Sequence, residues 1–296
     1  MRIALINSGL GLLGAAAWLR RMRPDADLVL SMDPDGMPWG PRPPDDIARR
    51  SVACARAAAA YDPDVLVFAC NTGSVHALHL LRAEFEPAIP VVGTVPAIKP
   101  AAATGGPVAI WATVATTGSA YQRGLIAEFA ASVPVAEVAC PGLADAIHAG
   151  DEAGLAAAVA AAASLTPGQT RGIVLGCTEY ELAAEQIGAA VPGADLFGSA
   201  EAVAAQALRR AAGRNRERNG APAGHPDPAG QPGSASQPGS ASQPGSAAGR
   251  AASGNVHVLL SGRPGPLPPA ALRYPEGRLL ARGRPERADP GVTTRT

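Results

Sequence analysis

Asp64-Val65-Leu66-Val67-Phe68-Ala69-Cys70-Asn71-Thr72 and Arg171-Gly172-Ile173-Val174-Leu175-Gly176-Cys177-Thr178-Glu179 share one grammar. Each is a short apolar run, then a cysteine, then small polar residues that open a helix-forming stretch. Unbroken apolar runs of this length read as strands buried on both faces, the pattern of a parallel sheet covered by helices. The chain around them alternates in the same way. Strands are expected over 2–6, 27–32, 65–69, 89–93, 107–111, 133–138 and 172–175. Helices are expected from the Gly-rich turn to Arg21, from Pro44 to Tyr61 with Asp45 as N-cap, and over 74–85, 119–131, 142–163 and 180–190. This is an α/β chain of parallel sheets with helices on both faces.

The composition suits such a fold. Apolar residues make up 47% and aromatics only 4%, so Ala, Val and Leu must fill the cores. The 25 basic and 25 acidic residues cancel, which argues against a nucleic-acid or membrane-surface binder. No stretch has the ~20 apolar residues of a transmembrane helix. The apolar run from Met1-Arg2 to Leu19, with Ala15-x-Ala17, could pass for a leader, but Asn7-Ser8-Gly9 interrupts it and favours strand, turn and helix. Lys99 is the only lysine, so Schiff-base chemistry would have to use it. Cys54, Cys70, Cys140 and Cys177 form no C-x-x-C pair, so no zinc site is expected, and isolated thiols point to the reducing cytoplasm.

Composition changes near Arg214. Residues 214–296 are rich in Gly, Pro, Ser and Arg, with 11 arginines against 5 acidic residues, while 1–213 hold 14 basic against 20 acidic. The block Gln231–Ala247 repeats Gln-Pro-Gly-Ser-Ala-Ser and has little to bury. The expectation is a disordered tail over 214–296. Its one strand-like piece, Asn255–Leu260, is too short to make a domain.

Ligands in open α/β sheets sit at the carboxyl ends of strands. A cysteine there, entering a helix, meets the positive end of the helix dipole, an environment that can lower a thiol pKa to ~3.5–7.5. Neighbouring Asn, Thr and backbone N–H groups can cradle a carboxylate. One such cysteine suggests a nucleophile. Two in matched contexts, facing across a shared cleft, suit stereoinversion at carbon: one thiolate removes a proton from one face and the other thiol returns one from the opposite face. The bland alternative is a pair of packed structural cysteines.

Taken together, the motifs resemble the aspartate/glutamate racemase superfamily, and most closely its glutamate racemase branch, over about residues 3–199. Asn7-Ser8-Gly9-Leu10-Gly11-Leu12 stands where the family has Asp-Ser-Gly-x-Gly-Gly. Asp33 and Pro38-Trp39-Gly40 match its Asp…Pro-Tyr-Gly. Cys70-Asn71-Thr72, the 90–98 segment, Thr113, Thr116, Ser119, Tyr121 and Cys140-Pro141 match as well, and Gly176-Cys177-Thr178-Glu179-Tyr180 stands at Gly-Cys-Thr-His-Tyr. The resemblance implies two pseudo-symmetric α/β domains with the active site in the cleft between them. Here they would be 1–96, completed by 196–213, and 97–195. It implies a racemase that needs no cofactor, with Cys70 and Cys177 as the acid/base pair. Asn7, Ser8, Trp39, Gly40, Asn71, Thr72, Thr116, Thr178 and Glu179 fall at substrate-contact positions. The implied substrate is an acidic amino acid, glutamate first, giving D-glutamate for peptidoglycan. Homodimer assembly is left open.

Four departures bear on that reading. Asn7 replaces the family Asp and cannot take a proton. Trp39 replaces Tyr. Glu179 replaces His; its carboxylate would raise the Cys177 pKa by repulsion, or act as its general base if close enough. His148 stands at an acidic family position. Glu179 resembles the aspartate racemase branch, which makes aspartate the alternative substrate. A non-catalytic ligand-binding protein on the same scaffold is the alternative of another class, and a decarboxylase or isomerase a third. Two further patterns compete locally. Gly9-x-Gly11-x-x-Gly14, with Asp33 ending the next strand, also fits a dinucleotide fingerprint. His76 and His79, one helical turn apart, could touch a metal but lack a third ligand.

Overall fold

The structure is a computed structural model that describes residues 1–218 and 253–282. The chain begins β1 (Arg2–Asn7), α1 (Leu12–Met22), β2 (Asp27–Met32), α2 (Pro44–Ala59), β3 (Val65–Phe68), α3 (Asn71–Phe85), β4 (Val91–Gly93) and α4 (Ile98–Ala102). It continues with β5 (Val108–Ala112), α5 (Ala120–Phe129), β6 (Val135–Ala139), α6 (Leu143–Ala149), α7 (Glu152–Leu165) and β7 (Gly172–Leu175). A 3-10 turn (Thr178–Ala183), α8 (Ala184–Ala190), β8 (Asp195–Phe197) and α9 (Ala200–Arg218) come next. Last are β9 (Val256–Leu260), β10 (Arg263–Pro264), a 3-10 turn (Pro269–Arg273) and α10 (Pro275–Ala281).

Two sheets result. The first has the order β10-β9-β2-β1-β3-β4 and is parallel except for β10. The second, β6-β5-β7-β8, is wholly parallel. Successive side chains of a strand point to opposite faces, and β1 uses both: Ile3 and Leu5 join one core, Ala4 and Ile6 the other. In the second sheet Ala109 and Trp111 of β5 join the same core as Ile3 and Leu5. That core runs unbroken between the sheets, so it fixes the relation between the sheet ends that face each other.

The alternation read from sequence survives, with shifts of one or two residues at half of the expected strand ends. Four expectations need correction. Asp45 does not cap α2: Pro43 occupies that position, Pro44 fills the first helical position where its missing N–H costs nothing, and Asp45 and Asp46 lie in the first turn. The single helix expected over 142–163 is two helices. Gly150 turns left-handed at φ 63, and the Asp151 side chain then caps α7 through the Gly154 N–H. The segment from Tyr180 begins earlier, as a 3-10 turn from Thr178.

The largest correction concerns 214–296. Helix α9 runs on to Arg218, and residues 253–282 are folded onto the first sheet. Strand β9 extends that sheet through five parallel pairs with β2, from Leu28–Val256 to Met32–Leu260. A run of six residues cannot build a domain, but it can join an existing sheet edge. Leu259 is buried at that edge, Ala271, Tyr274 and Leu280 are buried where α10 packs on the 3-10 turn before it and on α1, and a fully buried Leu alone contributes about 2 kcal/mol. The Gln231–Ala247 block lies outside the described residues. No helix among the described residues is long and apolar enough to cross a membrane.

Candidate active site

Strands β3 and β7 end facing each other, and each leads within two residues to its cysteine. Between them opens a cleft of about 390 Å³. Of the expected site residues, Ser8, Trp39, Gly40, Cys70, Asn71, Thr72, Thr116, Cys177, Thr178 and Glu179 line it. Asn7 does not. It is wholly buried behind the wall, where its Nδ2 donates to the Ala69 carbonyl and to Thr178 Oγ1 at 3.1 Å. Its Oδ1 accepts from the Gly9 N–H at 2.9 Å. Asn7 thus ties the end of β1 to both cysteine-bearing turns and has no spare group for a ligand.

The glycines after β1 are there for close packing against protein. A Cβ on Gly9 would collide with the His148 ring, and one on Gly11 with Thr178 Oγ1 and Asn7 Nδ2. The room a pyrophosphate needs at that turn is taken by side chains from the second half of the chain. The dinucleotide reading therefore loses its structural basis.

Cys70 caps α3, its Sγ accepting the Gly73 N–H at 3.3 Å. Cys177 donates its thiol proton to Glu179 Oε2 at 2.9 Å, and Thr178 Oγ1 donates to the same oxygen at 3.3 Å. The lowered thiol pKa expected from the helix dipole is not found. Burial, then the Glu179 charge, pushes Cys70 up to about 12 against the pull of the backbone N–H groups at Gly73, Ser8 and Thr72. Burial raises Cys177 well above its ordinary range, and Glu179 adds to this by charge and by accepting its proton. Cys177 is followed by a 3-10 turn, so no regular helix end faces it. Both alternatives foreseen for Glu179 hold together: it repels the thiolate and is close enough to take the proton.

His148 and Asp145 are among the cleft residues outside the expected set. They lie one turn apart on α6. Burial holds the His148 imidazole below its ordinary pKa despite Glu179 and Asp145, and its Nδ1 is buried with no partner. Their i, i+3 spacing after Cys140-Pro141 was the available signal. Asn71 donates to the Gly176 carbonyl at 2.7 Å, bridging the two cysteine turns, while its Oδ1 is buried without a partner. Cys140 lines the cleft from the core side, and Cys54 packs in α2. Lys99 is exposed on α4 and absent from the cleft lining. No cluster of three or more His, Cys, Asp or Glu side chains among the described residues is placed to hold a metal.

Residues 14–207 match the Asp/Glu/hydantoin racemase family. The chain belongs to that family, and it is a racemase-family enzyme. Among its relatives, the glutamate racemase of Roseiflexus sp. (strain RS-1) is 38% identical over 209 residues, 68% of this chain and 76% of that protein. That of Pseudomonas putida (strain F1) is 34% identical over 227 residues, 75% and 85% of the two chains. Among solved structures, Escherichia coli glutamate racemase in complex with L-glutamate and the activator UDP-MurNAc-ala superposes with a TM-score of 0.67. It shows 30% identity, and the match covers 71% of this chain and 82% of that one.

Proposed function

We propose that the protein interconverts L- and D-glutamate by proton transfer between two thiols and the α-carbon, with no cofactor, and supplies D-glutamate for peptidoglycan in the cytoplasm. The observation that carries this reading is that Cys70 and Cys177 end opposing strands and open on one cleft. The family and the glutamate racemase relatives support the substrate. Four free cysteines suit a reducing compartment.

The chemistry needs one thiolate and one thiol. Burial and the Glu179 charge favour the protonated form of both thiols, so one proton must be moved. Glu179 Oε2, 2.9 Å from Cys177 Sγ, is the acceptor at hand. Cys70 has no such base, because Asn7 offers only an amide. Cys177 therefore starts as the base and Cys70 as the acid. Cys177 takes the α-proton, the electron pair stays on the substrate's α-carbon and carboxylate, and Cys70 delivers its proton to the other face. Cys70 then becomes the thiolate, held by the backbone N–H of Gly73, and the reverse reaction runs from it. The substrate α-ammonium offsets the Glu179 charge that raises both thiols. The Glu179 and His148 departures fall in one cleft. By the resemblance, the family's imidazole and acid stand here as Glu179 and His148, and both line the cleft.

Proton NMR in deuterium oxide tests the reading, with each enantiomer of glutamate and of aspartate and with C70S and C177S as controls. Loss of the glutamate α-proton signal, abolished or made one-sided in the variants, is expected. Exchange with aspartate alone would transfer the assignment to that substrate. No exchange with any of the four, in folded protein, would sink it.

A further inference from the structure

Residues 253–282 lie beyond the stretch that matches the family, yet they reach both walls of the cleft. On one wall stands Trp39, wholly buried beneath the 37–41 loop. Its Nε1 donates to Asp33 Oδ2 at 3.0 Å, and Arg50 also donates to that oxygen at 3.2 Å. The other carboxylate oxygen, Oδ1, accepts from Ser261 Oγ at 3.0 Å. Ser261 comes directly after β9, and its Oγ also accepts the Asp35 N–H at 3.1 Å. Its φ is 47, a left-handed conformation that costs a serine free energy and that glycine would adopt without strain. A serine kept there is explained by its hydroxyl.

On the other wall stands α6, which carries Asp145 and His148. Tyr274 donates its hydroxyl to the Ile147 carbonyl at 2.6 Å, and Arg273 donates to the Gly150 carbonyl at 2.7 Å. These bonds hold the last turn of α6, where His148 sits. Tyr274 is buried, so little water competes for the bond.

We infer that Ser261 and Tyr274 are positioning residues of the racemase site: Ser261 acts through Asp33 on Trp39, and Tyr274 acts through the end of α6 on His148. The C-terminal segment is thus the part of the chain that sets how the two walls of the cleft stand. This rests on the racemase reading for its kinetic consequence, though not for its geometry.

The test uses the full chain with S261G and Y274F. S261G removes the hydroxyl's two hydrogen bonds but relieves the backbone, and because the two effects offset, its melting temperature should stay close to wild type. Y274F removes one hydroxyl at constant shape. In S261G the Trp39 indole N–H signal in a nitrogen-15 spectrum, assigned with W39F, should move while those of Trp18 and Trp111 stay. In Y274F the His148 titration, assigned with H148N, should shift. With glutamate, S261G should raise KM about 2- to 10-fold, the effect of one lost hydrogen bond, with a smaller change in kcat. Y274F should alter the pH profile of kcat. Unmoved Trp39 and His148 signals would overturn the inference. Moved signals with kinetics like wild type would overturn the positioning role. A wild-type chain that racemises nothing would sink the racemase reading alone, and the spectra would still decide whether the segment braces the walls.

Discussion

In the proposed mechanism, Glu179 is the residue on which the chemistry turns. Its carboxylate accepts the Cys177 proton and its charge raises both thiols. E179Q removes the charge while keeping the size. Both thiol pKa values should then fall, and iodoacetamide should alkylate Cys177 several-fold faster at pH 8, as followed by mass spectrometry. Racemisation should drop by about 10²- to 10⁴-fold, the range for a lost general base. Faster alkylation with lower activity separates a base from a mere charge; slower alkylation would contradict the electrostatic account. Asn7 gives the opposite lesson. Restoring the family's aspartate by N7D would point a carboxylate at the Ala69 carbonyl and remove a donor from a buried site. The variant should lose about 1–3 kcal/mol in urea unfolding rather than gain activity.

Among the elements, the break between α6 and α7 decides where His148 stands. An Ala-rich run from 153 to 163 looks like the middle of one long helix, and only Gly150, at φ 63, ends the first helix in time for α6 to face the cleft. A Cβ there meets both the left-handed penalty and the Arg273 side chain. G150A should cost about 1–2 kcal/mol in urea unfolding and should disturb His148 before it disturbs either sheet. An unchanged midpoint would mean that the turn can relax. Strand β9 makes the same point. Its sequence was visible as a strand, but the partner it joins, β2, lies far back in the chain, and nothing local to residues 255–260 announces it.

For the whole molecule, the buried thiols set a limit on alkaline stability. Cys54, Cys70 and Cys140 are each pushed up to about 12 by burial, from an ordinary 9.0. Above pH 9 the unfolded chain loses these protons while the folded chain keeps them. The unfolded state then binds fewer protons, and stability falls as pH rises. Each such thiol contributes a loss of up to about 1.4 kcal/mol per pH unit between about 9 and 12. The melting temperature should be flat from about pH 7 to 8.5 and fall progressively above about 9, less steeply in C54A. A flat profile to pH 11 would show that the thiols ionise in the folded chain.

The α/β alternation, the two cysteine-bearing strand ends and most of the cleft-lining residues were legible from the sequence. The first two are local patterns: strands buried on both faces are written as unbroken apolar runs, and chain order fixes which residues stand just past a strand's carboxyl end; cleft residues such as Trp39 and Thr116 were expected only from the family resemblance. The tertiary structure decided the rest. It turned Asn7 away from the cleft, raised thiols that their helix position alone would lower, and set residues 253–282 against both walls. These features depend on burial and on neighbours distant in sequence. Desolvation acts through everything packed around a group, whereas the helix dipole acts only over one turn, and so the three-dimensional surroundings outweigh the local motif.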